Sequence, residues 1–79
     1  YPNPFNSSTT IKYEIPVQSD VCLTIYNTLG QVVETFVRNA QIAGIHIINW
    51  EANHISSGVY FYNIKVGDKN MTKKCVLMK

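Results

Sequence analysis

His46 and His54 are the side chains of this chain best suited to hold a metal ion. Zinc needs three or four nitrogen, sulfur or oxygen ligands, and no cysteine or carboxylate stands at ligand spacing beside either histidine. A single histidine in a strand packs or faces solvent. The carboxylates Glu14, Asp20, Glu34, Glu51 and Asp68 are scattered and form no pair in sequence for acid–base work. Ser56-Ser57-Gly58 lacks the G-x-S-x-G pattern of a nucleophile elbow, so it reads as a turn that feeds a strand. No glycine-rich phosphate loop is present. Cys22 and Cys75 stand far apart and form no CxxC, which leaves zinc and thioredoxin-like chemistry without support. An even count permits one disulfide in an exported domain; otherwise both are small apolar thiols in strands. The expectation is a domain with no catalytic site, no metal and no cofactor.

Binding chemistry offers three further leads. Five tyrosines and Trp50 could form a stacking platform for sugars. Tyr13, Tyr60 and Tyr62, however, alternate with aliphatic neighbours as the residues of a β-sandwich do. The pair Lys73-Lys74 could steer an anionic partner, or blunt an edge strand. Asn6-Ser7-Ser8 and Asn70-Met71-Thr72 match the glycosylation sequon, but short matches in an asparagine-rich chain carry no weight.

The composition narrows the rest. Seventy-nine residues suffice for one domain with one core. Hydrophobic residues make up 46% and charged residues 15%, which is folded rather than disordered, with a surface built from Ser, Thr, Asn and Gln. A net charge of +2, scattered along the chain, argues against nucleic acid as a partner. No apolar run approaches the roughly 18–20 residues of a membrane span.

The elements that must position these residues are strands. Ile11, Tyr13 and Ile15 alternate with polar neighbours up to Pro16, and Val21, Leu23 and Ile25 repeat the pattern after a Gln18-Ser19-Asp20 turn. In "YNTLGQVV", Asn27 suits the first position of a type I turn and Gly30 the position that needs positive φ. Tyr26, Asn27 and Gly30 thus mark a hairpin. Its return strand is expected over 31–37, where Val32 and Val33 disfavour a helix, with a short helix as the weaker alternative. A polar loop is expected from Arg38 to Gly44. A fourth strand follows over 45–50, with His46, Ile48 and Trp50 facing the core because Trp50 is the largest apolar side chain available. A loop over 53–58 should tuck Ile55 inward. "GVYFYNIKV", containing Gly58, Val59, Tyr60 and Tyr62, is the strongest strand signal; Gly67-Asp68 turns the chain into a last strand over 71–78. Short turns and no convincing helix imply an all-β fold: a small immunoglobulin-like antiparallel β-sandwich of about six to seven strands.

Five blocks in order carry a resemblance: "YPNPFNSSTTIKYEIP", "LTIYNTLGQVV", "AGIHIINWEA", "ISSGVYFYNIKVG" and "TKKCVLMK". Together they resemble the C-terminal sorting domains of type IX (Por) secretion substrates, over essentially the whole chain. The resemblance implies an immunoglobulin-like sandwich at the end of a larger secreted protein, with cargo joined upstream in cis. It implies Sec export to the periplasm, recognition by the type IX machinery at the outer membrane, and delivery to the cell surface or medium. A sortase-like protease often removes such domains, although some members retain them. Ser7 replaces a frequent proline, and Cys75 stands where the family often has Met; the exported setting makes a Cys22–Cys75 pairing worth checking. The Ig-like domain of flagellar hook-capping proteins is a sibling resemblance, sharing the "Y-N-x-x-G" hairpin and "S-G-x-Y" strand. A retained structural or adhesive Ig-like module, including a sugar-binding one, is the alternative reading.

Two handles follow for a single domain over 1–79. Pro2 and Pro4 restrict their own φ and push Tyr1 and Asn3 toward extended conformations. Residues 1–6, with Asn3, Phe5 and Asn6, then form a semi-rigid strap before the sandwich of 10–79. That the chain opens on Tyr1, inside this motif, is expected of a piece of a longer protein. At the other end Lys73, Lys74 and Lys79 flank Val76, Leu77 and Met78, so the last strand is the expected handle for the secretion machinery.

Overall fold

The computed structural model describes residues 8–78. Six strands follow one another: β1 (Ser8–Ile15), β2 (Ser19–Tyr26), β3 (Val32–Gln41), β4 (Gly44–Glu51), β5 (Gly58–Val66) and β6 (Lys69–Leu77). No helix occurs among the described residues. β1 and β4 form one antiparallel sheet, and β3-β2-β5-β6 form the other. Over the described residues the fold is a six-stranded immunoglobulin-like β-sandwich.

Strand alternation builds the core. Ile11 and Ile15 on β1 and Ile48 and Trp50 on β4 face Val21, Leu23 and Ile25 on β2, Tyr60 and Ile64 on β5 and Leu77 on β6. The core-facing side expected of β4 is the observed one: Ile48 and Trp50 are buried, His46 is half-buried, and Ile45 and Ile47 are exposed. Tyr60 meets Trp50 edge-on at 5.4 Å between ring centroids, an arrangement aromatic pairs favour. Ile55 packs against the core from the β4–β5 loop, as its position suggested.

The third strand runs further than its sequence implies. Residues 38–41 belong to β3 rather than to a loop, and only Ile42 and Ala43 separate β3 from β4. The Asp20 carboxylate accepts a hydrogen bond from the Ala40 amide at 2.8 Å. This holds Ala40 at φ +52° and brings Gln41 opposite Ser19 across a register shift. A long-range side-chain contact thus extends the strand into a segment whose polar composition suggests a loop. β1 likewise reaches back to Ser8, two residues ahead of the expected start, because Ser8 and Thr9 pair with Glu51 and Trp50.

Two strands cannot cover four. Of β6, only Leu77 and Cys75 pack into the core, and every residue of Lys69–Lys74 is exposed, on both faces of the strand.

Candidate recognition surface

The hairpin between β2 and β3 is fixed by one residue. Asn27 Oδ1 accepts from the amides of Leu29 and Gln31 at 2.9 and 3.0 Å, and Asn27 Nδ2 donates to Gln31 Oε1 at 2.8 Å. The backbone closes the same turn through Gly30 N–H to Asn27 O and Asn27 N–H to Gln31 O. Gly30 sits at φ +82°, a conformation that a Cβ would strain although nothing stands within 4 Å of its place. Tyr26, the third residue of the hairpin signature, pairs with Val32 and Phe61. This turn has a folding role that needs no partner.

The β5 signature divides by face. Tyr60 and Tyr62 point inward, while Val59 and Phe61 face out, opposite Val76 and Lys74 of β6. The Tyr60 hydroxyl donates to Ser56 O at 2.6 Å and so ties the preceding loop to the strand. Gly58 begins β5 at φ +154° with open space where a side chain would be, so backbone conformation is what favours glycine there. The inward rings of Tyr60 and Tyr62 offer no flat platform of the kind a stacked sugar requires.

β6 separates the lysines. Lys73 lies on the inner face opposite Tyr62, and Lys74 on the outer face opposite Phe61; both are exposed. Val76 is exposed and Leu77 is buried in the core. Leu77 is therefore a folding residue, while Lys73, Lys74 and Val76 remain open to a partner. Lys79 and the boundary residues Pro2, Asn3, Pro4, Phe5 and Asn6 lie outside the described residues.

The Cys22–Cys75 pairing that the sequence left open is not formed in the fold. Both cysteines are free. Cys22 lies on the outer face of β2, opposite Val37 and Lys65, whereas Cys75 packs inward from β6 opposite Tyr60. β5 separates their strands, and neighbouring strands stand about 4.8 Å apart. A disulfide needs Cα atoms within about 7 Å and converging Cβ vectors, which opposite faces of one sheet do not supply.

His46 stacks on Tyr13 at 5.7 Å and its Nε2 lies 2.7 Å from Ile42 O, so it braces the corner between β3 and β4. Among the described residues no three His, Cys, Asp or Glu side chains gather as a metal site. No described helix is long and apolar enough to cross a membrane.

A groove that the sequence alone did not reveal runs beside β1. Its volume is about 270 Å³, and its walls include Ile11, Lys12, Tyr13 and Glu14 of β1, with Tyr62, Ile64, Met71 and Lys73 opposite. Burial pushes the Tyr13 phenol above its ordinary pKa, against a smaller lowering by Arg38. Burial also raises Tyr62, with a lesser push in the same direction from Cys75. The signal for this groove was Lys69-x-Met71-x-Lys73, an exposed alternation on what should be a core-facing side.

The fold defines a small immunoglobulin-like β-sandwich whose distinguishing residues lie on its turns, strand edges and surface. Residues 1–78 match the secretion system C-terminal sorting domain, and the chain belongs to that family. It is a C-terminal sorting signal for type IX secretion, which implies contact with that machinery, cargo attached in cis, and export to the cell surface or extracellular space. Comparison with curated proteins and with solved structures finds no match.

Proposed function

We propose that this domain carries an upstream cargo across the outer membrane after Sec export, and that the machinery reads the folded sandwich through β6 and its lysines. The observation that carries the proposal is the match over residues 1–78, together with an edge strand that exposes Lys73, Lys74 and Val76. An exposed edge invites strand pairing by a partner, and lysines on it discourage pairing with copies of itself. The sandwich acts without catalysis: it presents a surface, and any later cleavage belongs to a sortase-like protease.

The test fuses residues 1–79 to the C-terminus of a periplasm-directed reporter in a bacterium that has type IX secretion. Removal of residues 73–79 is a poor variant, because it also deletes Leu77 from the core. Lys73→Glu/Lys74→Glu changes only exposed positions and should lower reporter export at least tenfold while unfolding remains unchanged. Full export by the folded double variant would sink the assignment to these lysines. Failure of the wild-type fusion to leave the periplasm would instead favour a retained structural or adhesive module.

A further inference from the structure

The groove beside β1 runs along a strand edge that no other described strand covers. β1 is hydrogen-bonded on one side to β4 and has no strand on its other side among the described residues. Four consecutive residues of β1, Ile11 to Glu14, line the groove. Consecutive residues point to alternate faces, so a cavity that meets all four runs along the strand's edge rather than across a face. Unpaired backbone groups on such an edge are a template for an added strand. A second depression of about 290 Å³ prolongs the groove past Glu14 toward Lys69 and shares Ile64, Val66 and Met71 with it.

The walls state what chemistry fits. The floor is apolar: Ile64 is buried, Val66 is half-buried and Met71 is 52% exposed on a core-facing position. The rim carries exposed Lys12, Lys69 and Lys73 against the single exposed Glu14. Charge complementarity therefore selects an acidic occupant, and the open edge selects an extended one. We propose that an extended acidic segment of a partner protein adds to the free edge of β1, lays alternate apolar side chains over Met71 and Ile64, and sets its carboxylates against Lys69 and Lys73. This rests on the reading that the machinery recognises the domain folded. It places part of that recognition on the inner, lysine-bearing half of β6 rather than on the outer face.

Labelled residues 1–79 would be titrated with an eight-residue peptide that alternates Asp with Val, and amide shifts followed by NMR. Shifts should centre on Ile11–Glu14 and Met71, weaken as salt rises, and vanish for the same peptide N-methylated at every residue, which cannot pair as a strand. Lys69→Glu/Lys73→Glu, at two exposed positions, should weaken binding at least tenfold with the fold intact. Equal binding of a Lys-Val peptide, equal shifts with heparin (a polyanion with no strand to add), or shifts confined to β3 or β4 would overturn the proposal. The peptide assay needs no secretion machinery. A negative result there sinks the groove alone, while export of the wild-type reporter fusion decides the sorting reading separately.

Discussion

Asn27 uses both ends of its amide on one turn, and that gives the hairpin its register. Three side-chain hydrogen bonds converge on it, two of them to backbone amides that the β2–β3 ladder leaves unpaired. Aspartate keeps the acceptor but loses the donor to Gln31; alanine loses all three bonds. Each exposed or half-exposed hydrogen bond contributes about 0.5–1.5 kcal/mol net. Asn27→Ala should therefore lower stability by about 1–2 kcal/mol in urea unfolding, with Asn27→Asp between it and wild type. The neighbouring exposed Thr28→Ala should stay within about 0.5 kcal/mol. A loss for Thr28→Ala as large as that for Asn27→Ala would show that the backbone, not the amide, holds the turn. Trp50 shows the opposite economy. Its ring is 1% exposed and its Nε1 is buried without an acceptor, so its value lies in apolar area and its contact with Tyr60.

Between elements, the sequence is readable where alternation is strict and unreadable where one sheet ends before the other. Val21, Leu23 and Ile25, or Ile48 and Trp50, declare their face through period two alone. The extension of β3 could not be read, because it depends on Asp20 reaching Ala40 across 20 positions of chain. The groove could not be read either. Lys69, Met71 and Lys73 look like a solvent face, and only the two-over-four sheet arrangement makes them an uncovered inner one. Lys73 and Lys74 look like one basic pair, yet they address opposite faces. Across the groove, β1 and β5 each present a tyrosine, Tyr13 and Tyr62, whose phenols are raised above the ordinary 10.0 mainly by burial. A raised phenol pKa means that the unfolded chain ionises first. The contribution of these groups to stability is whole below about pH 10 and is lost as pH rises through the higher folded-state values. The melting temperature, followed from pH 8 to 11.5, should thus fall above pH 10. Tyr13→Phe/Tyr62→Phe should make that fall shallower; an unchanged slope would mean that the groove walls are wet enough to leave both phenols unperturbed.

At the scale of the molecule, the question is whether the sandwich is one cooperative core with an uncovered wing. A domain of this length has roughly 4–12 kcal/mol of stability to lose, at about 0.05–0.15 kcal/mol per residue. Leu23 is fully buried at the centre of the four-stranded sheet, between Phe36 of β3 and Ile64 of β5. Leu23→Ala removes buried methyl groups and leaves a cavity, a change that costs about 2–5 kcal/mol. That is a large share of the whole, and the variant should unfold in a single transition at much lower urea. Met71 pairs with Ile64 on the same inner face but stands beyond the reach of β1 and β4, half in solvent. If the cover ends where the fold places it, Met71→Ala should cost less than about 1 kcal/mol, since little area leaves a dry environment. The two substitutions lie on the same inner face, one under the second sheet and one outside it, so a wide gap between their losses marks where that cover ends. Comparable losses would mean that the wing is covered in the free domain, and the groove beside β1 would then have no room for a partner's strand. A large gap between them leaves that inner half of β6 open, where Lys69 and Lys73 carry charge complementary to an acidic ligand.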